Sequence, residues 1–145
     1  MPVTILIADD HDDNRELFRL MLEGAGHRVR EARDGRECVI SAQAESPDVA
    51  LLDLSMPVLD GWHALRELRA DSRTRDIFCV AVTAFAGEQD RQRALAAGFD
   101  HYLAKPFRSQ ELLAAIEAGR ARRSARDTTT QPAATPNQET GQPLS

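Results

Sequence analysis

Cysteine is scarce in this 145-residue chain, which carries only Cys38 and Cys79. Two lone cysteines without CxxC spacing argue against a disulfide framework and read as free thiols in a reducing compartment. Basic residues are also in deficit, with 18 Lys and Arg against 23 Asp and Glu and a formal net charge of −5. That charge is unevenly placed. Residues 120–145 hold four Arg against Asp127 and Glu139, a balance of +2, which leaves −7 on residues 1–119. An acidic body argues against nucleic acid as the direct partner, because binding phosphates needs clustered Lys and Arg. No apolar run reaches membrane-spanning length, and Met1-Pro2 leads into a strand instead of a signal peptide. These absences describe a cytoplasmic protein with no membrane partner.

The length suits one domain, and a fold of this size buries roughly 68–70% of its unfolded surface. The most informative stretch is Val49-Ala50-Leu51-Leu52-Asp53, followed by turn residues at Pro57 and Asp60-Gly61. A short apolar run bounded by turns reads as a fully buried strand. It ends in a carboxylate held at the rim of the core. In order, the chain predicts a strand over Val3 to Ala8 ending in Asp9-Asp10, then a helix opened by a capping box of Asp13 and Glu16. That helix turns Leu17, Phe18, Met21 and Leu22 inward and stops near Gly24 and Gly26. Next come a polar strand over Arg28 to Ala32 and a helix over Glu37 to Ala44 burying Cys38, Val39 and Ile40. The Asp48 to Leu52 strand and a helix over Trp62 to Ala70 follow. Phe78 to Val82 is a further apolar strand ending in Thr83, before a helix from Glu88 to Ala97. His101 to Ala104 is a short strand ending at Lys105-Pro106, and Ser109 caps a last helix burying Leu112, Leu113 and Ile116.

Five alternations of strand and helix define an α/β fold with a parallel sheet. Strands 1, 3 and 4 are continuously apolar, as strands covered on both faces must be, while 2 and 5 suit the edges. The order 2-1-3-4-5 with right-handed crossovers satisfies this, giving a flavodoxin-like three-layer α/β/α sandwich. All carboxyl ends then lie on one edge, so Asp9, Asp10, Asp53, Thr83 and Lys105 converge in one crevice. Three like charges side by side need a raised pKa or a cation. Oxygen-only ligands suit a hard ion, and Mg²⁺ takes a few carboxylates while keeping waters. One carboxylate can then attack an electrophile to give an aspartyl phosphate. Such a transfer also needs a fixed cation and a hydrogen-bond donor, and Lys105 and Thr83 supply them.

On the motifs Ile7-Ala8-Asp9-Asp10, Leu52-Asp53-Leu54-Ser55-Met56-Pro57 with Asp60-Gly61, Val82-Thr83-Ala84 and Lys105-Pro106-Phe107, residues 3–119 resemble the receiver domain of two-component response regulators. The resemblance implies that Asp53 accepts a phosphoryl group from a histidine kinase or phosphotransfer protein. It implies that Asp10 ligates Mg²⁺ directly, Asp9 through water and Ser55 through its backbone carbonyl, beside Asp53 itself. Thr83 and Lys105 would bind phosphoryl oxygens, Tyr102 would be an aromatic switch following Thr83, and the bond before Pro106 would be cis. The resemblance implies a switch in a phosphorelay, with no enzymatic activity beyond slow autodephosphorylation. Its helix 4–strand 5–helix 5 surface would meet a downstream protein or relay partner, with a phosphorylation-dependent dimer as an open option.

Some positions carry their own readings. His11 reads as a solvated residue at the helix start, with a neighbour to the metal as the alternative. Asp12 and Asp13 read as caps of the first helix, and Trp62 as packing. In the family that the chain resembles, the side chain two residues after Thr83 tunes hydrolysis of the acyl phosphate. Here it is Phe85, which cannot orient water by hydrogen bonding, and this predicts an aspartyl phosphate that resists self-hydrolysis. Residues 120–145, basic and then rich in Thr, Pro and Gln, read as a disordered tail after a receiver spanning 1–119. Two other readings compete with the receiver. A Mg²⁺-dependent haloacid-dehalogenase-like phosphohydrolase would carry Asp-x-Asp on strand 1, and Asp9-Asp10 lacks that spacing. A phosphate-independent binding module with a receiver fold would have lost one of the five site residues, and none is lost.

Overall fold

The computed structural model describes residues 2–84 and 87–130. Ten elements alternate strictly: β1 (Thr4–Ala8), α1 (Asp12–Gly24), β2 (Arg28–Ala32), α2 (Gly35–Ala44), β3 (Val49–Asp53), α3 (Gly61–Ala70), β4 (Phe78–Thr83), α4 (Glu88–Ala97), β5 (His101–Ala104) and α5 (Ser109–Thr130). The strands form one parallel sheet in the order β2-β1-β3-β4-β5. β3 and β4 are buried at every position, and the exposed residues of the sheet fall on β2.

The pleat divides the core into two layers, because successive side chains of a strand point to opposite faces. Leu6, Ala8, Ala50, Leu52, Cys79 and Ala81 face one side, where α2, α3 and α4 contribute Cys38, Val39, Ala42, Ala64, Leu65, Leu68 and Ala94. Ile5, Ile7, Val49, Leu51, Val80 and Val82 face the other, against Phe18 and Leu22 of α1 and Leu112, Ala115 and Ile116 of α5. Both thiols lie in the first layer, and burial holds them protonated, with Cys79 pushed up to about 12.

Helix starts depart from expectation. α1 begins at Asp12 with His11 at its N-cap and no side-chain cap, so Asp13 lies inside the first turn and forms no capping box. Asp34 and Asp60 cap α2 and α3 instead, accepting from the Glu37 and His63 N–H groups at 2.8 and 2.9 Å. α5 begins at Ser109 itself, and the Glu111 carboxylate reaches back to the Arg108 N–H at 2.7 Å. Three apolar residues expected inside, Leu17, Ile40 and Leu113, are exposed, because two layers of helix around one sheet leave only a narrow stripe of each helix covered.

The last helix runs to Thr130 and does not give way at Arg120 to an unstructured tail. Two of its basic residues, Arg122 and Arg123, have partners in the body. Arg122 bonds Asp100 Oδ1 at 2.9 Å and the Asp76 carbonyl at 2.7 Å, with its guanidinium 4.9 Å from the Phe78 ring centroid. Arg123 pairs with Asp48 at 3.3 Å. The rest of the expected tail, residues 131–145, and Phe85 lie outside the described residues.

Candidate functional site

The carboxyl ends of β1, β3, β4 and β5 bring Asp9, Asp10, Asp53, Thr83 and Lys105 to the same edge of the sheet. Asp53 is the last residue of β3 and is buried, and its two oxygens are differently held. Oδ1 accepts the Ser55 N–H at 2.8 Å, and Oδ2 accepts from Lys105 Nζ at 3.2 Å. Burial raises the Asp53 pKa, against the lowering pull of the Ser55 N–H and the Lys105 charge; the neighbouring Asp9 adds to the rise. Lys105 is the only lysine among the 18 basic residues, a signal available in the chain itself. An ammonium presents three donors from a flexible stem, whereas an arginine fork would impose one plane.

The loop after β3 is built around close approach. Gly61 opens α3 directly against β3, and a Cβ there would lie 2.5 Å from the Asp53 carbonyl oxygen. Between them, the Leu59 N–H bonds the Pro57 carbonyl at 2.6 Å, closing a γ-turn on Val58 with φ of 68°. A β-branched residue in that region is strained. The Lys105–Pro106 bond is cis.

Asp9 is almost fully buried and is held from several sides. Oδ1 accepts the His11 N–H at 2.8 Å, and Oδ2 lies 3.4 Å from Asn14 Nδ2 and 3.5 Å from Lys105 Nζ. Arg15, buried on α1, donates to the Asp9 carbonyl at 2.7 Å and to Glu31 at 3.0 Å, and also bonds Asp12. Sequence reasoning missed Arg15, because an arginine on a helix reads as solvent-facing unless its partners are known. Asp10 contributes an Oδ1 that is buried and accepts no hydrogen bond among the described residues. A buried carboxylate oxygen left so calls for a cation. Ligand atoms of Asp9, Asp10, His11 and Asp53 all lie within 4.8 Å of one another, so the residues fit a divalent ion.

Thr83 is buried at the end of β4, and its carbonyl accepts the Lys105 N–H at 2.7 Å. Beside it, Leu54, Ser55, Trp62, Thr83, Asp90 and Arg93 line a cavity of about 300 Å³. Trp62 packs edge-on to Phe99, with ring centroids 5.8 Å apart, and carries the Arg93 guanidinium 4.6 Å from its own centroid. Tyr102 on β5 is half-buried against the layer formed with α2, α3 and α4, and burial raises its phenol pKa.

Comparison with known proteins agrees with this fold. Residues 5–117 match the family described as the response regulator receiver domain. The polar-differentiation response regulator DivK of Brucella anthropi is 31% identical over 118 residues, covering 81% of this chain and 96% of DivK. Response regulator MprA of Mycolicibacterium vanbaalenii is 42% identical over 118 residues, and there the chain spans only half of the relative's length. Among solved structures, the receiver domain of the sensor histidine kinase PA1611 of Pseudomonas aeruginosa, with magnesium coordinated in its active-site cleft, superposes with a TM-score of 0.75 at 38% identity. That match covers 81% of this chain and 97% of the other. The chemotaxis protein CheY4 of Vibrio cholerae gives 0.76 at 29% identity, over 81% and 98%.

Proposed function

The chain belongs to the response regulator receiver family, and on that premise we propose that it is a phosphoacceptor switch whose acceptor is Asp53. The observation that carries this reading is the Asp53 carboxylate, buried at a strand tip with one oxygen on the Ser55 N–H and the other on the Lys105 ammonium. The donor in this reading is the phosphohistidine of a histidine kinase or phosphotransfer protein. An Asp53 oxygen attacks phosphorus as the P–N bond breaks, the P–N electron pair stays on the departing imidazole, and solvent supplies the proton that this nitrogen takes up. Lys105 moves from the carboxylate to a phosphoryl oxygen, and the Thr83 hydroxyl donates to another. Asp9, Asp10, Asp53 and the Ser55 carbonyl would hold Mg²⁺, which would neutralise charge developing on the phosphoryl oxygens. The fit of the carboxylate cluster and the magnesium in the PA1611 receiver support that ion.

The new phosphoryl group adds about −1.5 to −2 charges at one point. Thr83 and Lys105 are linked through backbone, so groups drawn to that charge shift together. Their loops lead into α4, β5 and α5, with Tyr102 on the strand between. The modification favours one arrangement of that face only as far as the phosphoryl group contacts the two arrangements differently, which makes it a population shift. A downstream protein reading the α4–β5–α5 face completes the proposal.

Incubation with a small phosphodonor and Mg²⁺, read by intact mass, tests it. A stoichiometric phosphoryl adduct on the wild type and none on Asp53→Asn is the expected result. Catalytic turnover of the donor indicates a phosphohydrolase instead, and no adduct at all indicates a phosphate-independent binding module.

A further inference from the structure

Three oxygen donors and one nitrogen donor meet at the tips of β1 and β3. The nitrogen is Nδ1 of His11, 3.2 Å from Asp9 Oδ1 and 3.3 Å from Asp10 Oδ1. The main chain of His11 is fixed beside these carboxylates, since His11 is the N-cap of α1 and its own N–H is bonded to Asp9 Oδ1. The Asp10 oxygen that Nδ1 approaches is the buried one that accepts no hydrogen bond among the described residues. Imidazole nitrogen and orphaned oxygen therefore border the same gap.

We propose that His11 is a metal ligand of this site and shifts its preference from Mg²⁺ toward divalent transition ions such as Co²⁺ and Ni²⁺. The inference rests on the reading of Asp9, Asp10 and Asp53 as a cation site, and adds a donor of a different class to it. Mg²⁺ is hard, bound through oxygen and reluctant to shed water, so an imidazole adds little to its affinity. Co²⁺ and Ni²⁺ accept imidazole readily and stand above Mn²⁺ in intrinsic affinity for mixed nitrogen and oxygen sites. Coordination uses the Nδ1 lone pair, which puts the ring proton on Nε2. The ring is 65% exposed, so water can accept that N–H. The ion takes the place of the present contacts between Nδ1 and the two carboxylates. Mg²⁺ and a transition ion then compete for one position, and the ion present in the cell sets which form of the switch is loaded.

Calorimetric titration with Ni²⁺ alone and with Mg²⁺ alone tests this on the wild type, His11→Ala and Asp10→Asn. His27, His63 and His101 are common to all three chains, so weak binding there cancels in the comparison. His11→Ala is expected to lower Ni²⁺ affinity about tenfold or more, on the scale of losing a ligand-supporting group, and to leave Mg²⁺ affinity within about twofold. Proton spectra of the Co²⁺-loaded wild type should show a strongly shifted, exchangeable imidazole N–H that His11→Ala lacks. Equal Ni²⁺ affinity in wild type and His11→Ala, with Mg²⁺ bound normally, overturns the role of His11. Failure of Mg²⁺ to bind the wild type, or unchanged binding in Asp10→Asn, overturns the cation site itself and this inference with it.

Discussion

Lys105 Nζ stands 3.2 Å from Asp53 Oδ2, although 52 positions separate the two residues, and reaches Asp9 Oδ2 at 3.5 Å. One ammonium thus spans two buried carboxylates and offsets their mutual repulsion. Before any phosphoryl group arrives, it serves the fold. After transfer, in the proposed function, it serves the product.

Replacing this cation should therefore affect stability and chemistry together. Lys105→Met leaves both carboxylates without their shared donor and is expected to cost about 1–3 kcal/mol in urea unfolding at neutral pH. Formation of the Asp53 adduct from a small phosphodonor should slow by about a hundredfold, the scale of removing one preorganised electrostatic group. Unchanged rates in Lys105→Met would remove Lys105 from the transfer step.

Arg15 should behave as a positioning residue for Asp9. Its guanidinium joins the Asp9 carbonyl to Glu31 across the start of α1. Arg15→Leu fills the space but strands a buried carbonyl, at an expected cost of about 1–3 kcal/mol. Mg²⁺ affinity measured by calorimetry should fall in the same variant, whereas Glu31→Gln, which keeps an acceptor, should retain most of it.

The γ-turn on Val58 offers the opposite sign. Its side chain is exposed, so nothing is packed in return for the left-handed backbone. That conformation costs a non-glycine residue roughly 1–2 kcal/mol, partly offset by the entropy a glycine loses on folding. Val58→Gly is expected to stabilise the fold by about 0.5–1 kcal/mol. A lower thermal midpoint in the variant would contradict the strain argument.

His27 and His101 set a pH dependence. Burial is the largest cause lowering both pKa values below the ordinary 6.5, and the neutral Nδ1 of His27 accepts the Val3 N–H at 3.2 Å. The unfolded chain binds protons at these positions more readily than the folded one, so stability rises with pH across this range. Their contribution is complete above pH 6.5 and is lost as pH falls through the lower, folded values. Thermal midpoints recorded from pH 7.5 to 5.5 should drop more steeply for the wild type than for His27→Gln with His101→Gln. Parallel curves would rule the two histidines out.

Much of this protein was legible in local chemistry. The apolar runs of β1, β3 and β4, the turn residues after them and the five alternations implied the sheet order, and the sheet order implied that Asp9, Asp10, Asp53, Thr83 and Lys105 meet. Strand character and turn propensity depend on near neighbours, so the chain states them directly. Features that depend on partners far away in sequence emerge only in the folded chain. Arg15 is buried because Glu31 and the Asp9 carbonyl receive it, and Leu17 is exposed because no layer covers its side of α1. α5 continues to Thr130 with Asp48, Asp76 and Asp100 anchoring Arg122 and Arg123, contacts that no composition of Arg and Ala announces. The Asp53 stretch was recognisable as an acid at a strand tip. That one of its oxygens meets Ser55 and the other Lys105 required the folded chain, because hydrogen bonds of about 3 Å are set by where two backbones end up and not by either sequence alone.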